Sequence, residues 1–295
     1  MPATIYNWYR LLRPAHWIKN LVCLAGVFFY SAWDQLAYAL LVALAFCLIS
    51  SAIYVVNDLF DLEHDRQHPK KKNRPIAAGQ ISKHAAALAA LMLAATSLTL
   101  AFSLKPSVGF CALAYLAINL AYSFKLKHLP VIDAFCIASG FILRLLAGLY
   151  VLDLLPSPWL TLFTFFLSLF LGFAKRRAEL VALEKPVEIS QRRPVLDHYS
   201  LSFLDGALDI ASALAMICYA LMLLLPGSKF YHPTQVLTVP FIVFMILHYR
   251  RRLTHPKYRI EPNRIIYHDR VMQGCTLLWL LSYWMIQYTG VQWFG

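Results

Sequence analysis

Long apolar stretches recur along the whole chain, separated by polar segments that are alternately long and short. Nine of them read as membrane-spanning helices: Ile18 to Trp33, Leu36 to Val56, Ala85 to Leu104, Val108 to Phe124, Leu129 to Leu152, Trp159 to Ala174, Ala207 to Leu225, Val236 to His248 and Met272 to Tyr288. Several fall short of the ~20 residues that cross a bilayer core, so these must borrow flanking residues. None shows the period-2 alternation of a barrel strand, and spanning backbone must otherwise satisfy its own hydrogen bonds, which leaves helices. The predicted fold is an all-α integral membrane protein, a single membrane domain over residues 1–295.

With nine spans, the N-terminal stretch and the connections after the second, fourth, sixth and eighth spans share one side. That side holds 24 of the 27 lysines and arginines, leaving Lys105 and Lys229 opposite and Arg144 inside a helix. By the positive-inside rule it is cytoplasmic. Its loops run at about residues 58–83, 125–130, 175–205 and 249–270. Thirteen of 15 carboxylates and nine of ten histidines lie there too, which insertion alone does not require. Chemistry is therefore expected on that face, in a plasma (inner) membrane of bacterial type.

Composition agrees: the chain is 60% hydrophobic and 14% charged, against roughly 45–50% and 25% for soluble proteins. A net charge of +12 beside membrane spans points to anionic lipids and phosphorylated substrates and away from nucleic acid. The six cysteines lie in or beside apolar spans without a C-x-x-C pair and read as core residues. Arg10, Arg13, Pro14, Trp17 and Lys19 mix aromatic and basic character as an interfacial anchor would. No cleavable signal pattern precedes the first span, which is expected to insert uncleaved.

The second span ends in Asn57-Asp58-Leu-Phe-Asp61-Leu-Glu63-His64-Asp65-Arg66-Gln-His68-Pro69. If the helix continues, Asp58, Asp61 and Asp65 lie within about 60° of one another. Glu63 points away. Three stacked carboxylates repel unless a cation lies between them, and hard oxygen donors favour magnesium, which bridges readily to substrate phosphates. Acids at a helix C-terminus also oppose the macrodipole, so capping explains them poorly. Asp58, Asp61 and Asp65 are thus the candidate metal-binding and catalytic residues, with Asn57 beside them. His64 and His68 stand four apart, a faint zinc-like spacing with no further ligand; donation to phosphate suits them better. Lys70, Lys71, Lys72 and Arg74 either set topology or clamp phosphate.

Tyr122, Lys127, His128 and Asp133 form a second polar corner around the exit of the fourth span. Asp133 and Arg144 lie about 20° apart around their helix and ~16 Å along it, and an arginine so deep is a functional candidate or a structural hydrogen-bond donor, to Asn119 for example. Lys175, Arg176, Arg177 and Glu179 leave the sixth span, and Tyr199 is expected to add a hydroxyl. Arg250-Arg251-Arg252 has no acidic companion nearby in sequence and is read as topology. Asn73-Arg74-Pro75 and Arg192-Arg193-Pro194 hint at a weak duplication.

Asn57-Asp58-x-x-Asp61-x-x-x-Asp65, nine spans and a second motif after the fourth span together resemble the UbiA superfamily of membrane prenyltransferases. Asp65-x-x-His68-Pro69-x-Lys71-x-x-Arg74-Pro75, Tyr122-Ser-x-x-Leu126-Lys127-His128 and Ile142-Leu143-Arg144 are similar, within it, to the decaprenyl-phosphate phosphoribosyltransferases. The second Asp-x-x-x-Asp of many aromatic prenyltransferases is missing: Ile137 follows Asp133. The resemblance implies helices around a cytoplasm-facing cavity and Mg2+-dependent transfer of 5-phosphoribose from phosphoribosyl diphosphate to a polyprenyl phosphate with release of diphosphate, the lipid product feeding cell-envelope arabinose donors. Lys19, Asn57, His68, Lys71, Arg74, Tyr122, Lys127, His128, Asp133, Arg144, Lys175, Arg176, Glu179 and Tyr199 would bind substrate, and the reading is compatible with a homo-oligomer. A prenyltransferase alkylating an aromatic acceptor, and below it a lipid-linked transporter, are the rival readings.

Overall fold

The computed structural model describes residues 3–68, 71–182, 194–255 and 262–289. Pro69, Lys70, Arg192 and Arg193 lie outside them, as do parts of the 175–205 and 249–270 loops. Among the described residues there is no strand. The helices are α1 (Ala3–Leu12), α2 (Ala25–Phe29), α3 (Leu36–Phe60), α4 (Leu62–Gln67), α5 (Lys83–Leu104), α6 (Pro106–Phe124), α7 (Ile132–Val151), α8 (Pro158–Ala182), α9 (Leu201–Leu224), α10 (Val239–Arg252), α11 (Asn263–His268) and α12 (Arg270–Thr289). Six of them, α3 and α5 to α9, are long and apolar enough to cross a membrane by length and composition.

All nine expected segments are helical, but two are not simple α-helices. The first runs mostly as a 3-10 helix, Pro14–Leu24, before α2; the eighth begins as 3-10, Pro233–Thr238, and continues as α10. Runs of 3-10 beyond a turn are uncommon. Here Pro14 and the left-handed Arg13 (φ 54°) set the entry, and Asn20 and Cys23 turn into the core. Elsewhere local signals place the ends: Pro106 opens α6, and the Ser82 and Ser200 hydroxyls cap α5 and α9 by accepting the Ala85 and Phe203 amides at 3.2 and 3.1 Å.

The chain divides into two compact units, residues 1–127 with 139–156, and 128–138 with 157–295. In the first, α3 is central and packs on α5, α6, α1 and the Pro14–Leu24 segment. Its Ala39, Ala43, Ala45 and Ala52 let neighbours approach closely while Phe46, Ile49 and Ile53 fill the spaces. In the second, α8 and α9 lie along each other, and a polar rivet ties in the rest. The buried Tyr219 hydroxyl meets Thr238 Oγ1 at 2.8 Å and accepts Trp279 Nε1–H at 2.8 Å. Large apolar side chains such as Leu91, Phe110 and Ile210 are 63–67% exposed, a surface that requires lipid. The protein is a multi-pass membrane protein.

Candidate active site

The aspartate cluster is built where α3 gives way to α4. The α-helix ends at Phe60 and Asp61 (φ −85°, ψ 6°) interrupts it. The Asp61 and Asp65 amides still donate to the Asn57 and Asp61 carbonyls at 2.9 and 2.8 Å, so the helical path is nearly continuous. Asp58 and Asp65, two turns apart, therefore share a face; they are 3% and 1% exposed. Asp61, at the interruption, is 39% exposed and accepts Lys127 Nζ at 3.1 Å. Glu63 does point away, 73% exposed beside Arg66 and Lys83.

The cation between the buried pair belongs to the protein. Arg74 Nη1 donates to Asp65 Oδ2 at 2.6 Å and to Asp58 Oδ1 at 3.0 Å, and Arg13 Nη2 reaches the same Asp58 oxygen at 2.6 Å. Arg74 is held by a loop folded back on the helices. Ile76 and Ile81 bury against Leu11, Val55 and Leu62, and the Pro75 carbonyl accepts the Gln80 and Ile81 amides at 2.9 and 3.2 Å. That reversal passes through Gly79 at φ 71°, where a side chain would be strained. Arg10 Nη2 ties α1 to the loop at the Asn73 carbonyl, 2.6 Å. The N-terminal segment is thus more than an anchor: it supplies a side chain to the cluster.

Asn57 Oδ1 accepts the Ser123 hydroxyl. His68 is buried, and its Nδ1 accepts the Lys71 amide at 3.1 Å. Burial first, and the Lys71 charge after it, lower its pKa. His64 is exposed, so the two histidines do not converge. Among the described residues no three His, Cys, Asp or Glu side chains form a metal-holding group by themselves. Asp65 Oδ1, however, is buried with no hydrogen-bond partner. An unsatisfied carboxylate oxygen on Asp65, which shares the Arg74 guanidinium with Asp58, suits magnesium, which takes one or two protein carboxylates and completes its shell with water and substrate phosphate.

Arg144 lies deep in the first unit, 6% exposed. Its Nε donates to Asn20 Oδ1 at 2.6 Å, Nη1 to the Gly140 carbonyl at 2.8 Å and Nη2 to the Tyr115 hydroxyl at 2.7 Å, and its charge lies 4.5 Å from the Tyr115 ring centroid. Asn119 is not its partner; that amide donates to the Tyr115 carbonyl. Arg144 thus serves the core as a structural donor in this arrangement. Lys19 is half-buried in the neighbouring 3-10 segment, and Tyr122 and Lys71 are half-buried nearer the loops.

In the second unit Asp133, Arg176, Glu179 and Tyr199 come together. Asp133 and Arg176 are both fully buried and paired through Arg176 Nε; Arg176 Nη1 also meets Glu179 Oε2 at 2.8 Å. The Tyr199 hydroxyl donates to Asp133 Oδ1 at 2.7 Å and accepts the Val131 amide at 2.6 Å. That bridge holds Val131 at φ 68°, a strained value for a β-branched residue. Burial, and then the Asp133 carboxylate, keep the tyrosine hydroxyl protonated well above its ordinary range. His128 is exposed and Lys175 half-buried.

The arginine triplet, read from sequence as topology, does have acidic companions. Arg250 meets Asp205 at 2.8 Å and Asp209 at 3.1 Å, and Arg252 meets Asp269 at 2.5 Å. Asp269 also accepts the Val271 and Met272 amides, both at 3.1 Å, capping α12. Although burial pushes its pKa up, these amides, Arg252 and His248 together bring it down to about 2.

The sequence profile of the UbiA prenyltransferase family matches residues 20–265, which include Asp58, Asp61, Asp65, Arg74, Lys127, Asp133, Arg144 and Arg176. The chain belongs to the UbiA prenyltransferase family. This UbiA protein is accordingly an enzyme, a transferase. It is 33% identical over 287 residues to the decaprenyl-phosphate phosphoribosyltransferase of Mycolicibacterium smegmatis, covering 92% of this chain and 89% of that one. The protein of the same name from Corynebacterium glutamicum is 34% identical over 295 residues, covering 95% and 86%. The fold matches a UbiA homolog from Archaeoglobus fulgidus bound to GPP and Mg2+ with a TM-score of 0.71 at 23% identity, covering 95% of this chain and 99% of that one.

Proposed function

We propose that this UbiA protein catalyses Mg2+-dependent transfer of 5-phosphoribose from phosphoribosyl diphosphate to a polyprenyl phosphate, releasing diphosphate. What carries the reading is the buried Asp58 and Asp65 pair with the unsatisfied Asp65 Oδ1, flanked by Asp61 and by Arg74 and Lys127. The names of relatives about one-third identical along nearly the whole chain supply the acceptor, a polyprenyl phosphate, and the phosphoribosyl group transferred, for which phosphoribosyl diphosphate is the donor we propose. Asp58, Asp61 and Asp65 would hold magnesium, with Asn57 beside them, and the ion when bound would neutralise charge gathering on the departing diphosphate. Arg74 and Lys127, already beside those carboxylates, are the cations at hand for its oxygens. The acceptor phosphate is itself anionic, so no strong general base is required. Its isoprenoid tail would stay in the bilayer. The concentration of basic residues on one set of loops supports a cytoplasmic active face in a bacterial inner membrane, where the product would feed cell-envelope arabinose donors.

The test is transfer of radiolabelled ribose 5-phosphate from phosphoribosyl diphosphate into lipid by purified protein, with polyprenyl phosphate and with or without magnesium. Magnesium-dependent labelled lipid is expected, and D58N or D61N should abolish it in a folded protein. A preparation that yields no labelled lipid but prenylates an aromatic acid would keep the metal site and overturn the donor.

A further inference from the structure

Arg13 is the least expected member of the cluster, and its geometry is peculiar. Its backbone is left-handed at φ 54° and ψ 55°, although it is not a glycine. Such a conformation persists only when its surroundings over-determine it. The surroundings are the Asp58 carboxylate at 2.6 Å, the Tyr54 ring at 5.0 Å from its charge, and the neighbouring Leu11, fully buried in the α1 contact. Arg13 and Arg74 both donate to the same oxygen, Asp58 Oδ1, while Asp65 Oδ1 has no partner. Charge is therefore unevenly spread: one carboxylate oxygen carries two guanidinium contacts and another none. A carboxylate buried to this degree needs a cation at all times, because leaving it uncompensated is strongly unfavourable.

We infer that Arg13 is a resident counter-ion for Asp58, a stand-in for the divalent cation that a cation arriving at the aspartates must displace. This deepens the proposed function, since it assumes that Asp58 and Asp65 hold a divalent ion, but it is independent of which donor the enzyme uses. In the cation-free protein Arg13 neutralises Asp58 and is held in its strained turn. When a divalent ion engages Asp58 and the unsatisfied Asp65 oxygen, the like charge of Arg13 is repelled, its bond to Asp58 breaks and the turn after α1 loosens. Arg13 is thus a positioning residue that trades stability of the empty site against affinity for the ion.

Full-length protein in detergent, titrated with Mn2+ and followed by the electron paramagnetic resonance signal of the free ion, reads the exchange directly. Removing one competing positive charge next to the site should tighten Mn2+ binding by R13Q on the order of tenfold. The same variant should melt at a lower temperature than wild type in EDTA and gain more from saturating Mn2+. R13K should stay close to wild type in both, and R10Q, which loses the contacts to the Asn73 carbonyl and the Tyr6 ring but none to Asp58, should leave Mn2+ affinity unchanged. Should R13Q fail to fold, amide exchange of the wild-type protein decides: protection at Arg13 and His16 should fall when Mn2+ binds. Unchanged or weaker Mn2+ binding by R13Q, or protection that rises with Mn2+, overturns the counter-ion role and leaves the metal site standing. If wild type and R13Q alike bind no Mn2+, the metal site goes too.

Discussion

Gly148 offers the sharpest test of the packing. An ideal Cβ built there falls 2.0 Å from the Cys23 carbonyl oxygen, 2.7 Å from its carbonyl carbon and 2.9 Å from its Cα. Favourable heavy-atom contact begins near 3.5 Å, so G148A must drive the two backbones apart by about 1.5 Å. The obstacle is main chain and cannot rotate away, which places the cost at the upper end of overpacking, about 3 kcal/mol. The displaced segment also carries Asn20, whose 2.6 Å bond to Arg144 comes from the helical turn just before Gly148. Weakening that charge-assisted bond adds roughly 1–2 kcal/mol. With about 2–4 °C lost per kcal/mol, G148A should lower the apparent Tm in detergent by about 10 °C at a fixed scan rate. G206A is the control: nothing lies within 4 Å of its Cβ position in α9, so it should stabilise by about 0.5–1 kcal/mol. Because Asn20 shares the damage, N20A should cost less in the G148A background than alone, with a coupling of about 1 kcal/mol. A G148A protein that melts with wild type, or strict additivity with N20A, would refute the close approach described for α7.

Three further expectations concern the loops and the second unit. His68 has a lowered pKa in the fold and must stay unprotonated at Nδ1 to accept the Lys71 amide, so the unfolded chain binds its proton more readily. Its contribution is complete above about pH 6.5 and is lost as pH falls below that value; Tm measured from pH 7.5 to 5.5 should decline less steeply in H68N, and parallel slopes would dismiss it. D269A removes the cap of α12 and takes the Asp269 carboxylate away from Arg252 and His248, and a loss of about 3 kcal/mol by thermal unfolding is expected, whereas a loss below ~1 kcal/mol would show solvent replacing the carboxylate. Y219F deletes the acceptor of Trp279 and the partner of Thr238 without changing shape and should cost about 1–3 kcal/mol; tryptophan fluorescence unchanged from wild type would mean the rivet is not formed.

Periodic information in the chain carried most of the fold. The helices α3 and α5 to α9 were legible because apolar runs long enough to span a bilayer end at Pro106, Pro158 or a capping serine, all local features. The Pro14–Leu24 segment was not, because hydropathy cannot distinguish 3-10 from α, and the backbone of Cys23 passes close to Gly148, 125 residues on. At the candidate site, spacing foretold that Asp58 and Asp65 share a face and that Glu63 leaves it. It could not foretell that Arg74 stands between them, or that Arg13 joins it at Asp58. Arg13 lies 45 residues before Asp58, and no period links a residue preceding one span to one closing the next. The signal that was available, a basic residue directly before Pro14, was spent on the anchor reading. Arg250 and Arg252 were missed for the same reason: their acids lie 45 and 17 residues away, beyond local pattern.

The buried Asp133–Arg176 pair bears on how this sequence can change over time. Its members are 43 residues apart in sequence, Asp133 in the first turn of α7 and Arg176 in α8, each without exposed surface, with Tyr199 and Glu179 satisfying them further. Loss of Arg176 strands the buried Asp133 carboxylate at a cost of about 3–5 kcal/mol, and loss of Asp133 leaves the fully buried Arg176 to the partly exposed Glu179, while replacing both by apolar residues of like volume is often neutral. Single substitutions at positions 133 and 176 are therefore closed to the protein, and the joint replacement is open. The two positions form one unit of inheritance: relatives should carry both charges or neither, with Tyr199 free to become phenylalanine only where Asp133 has gone.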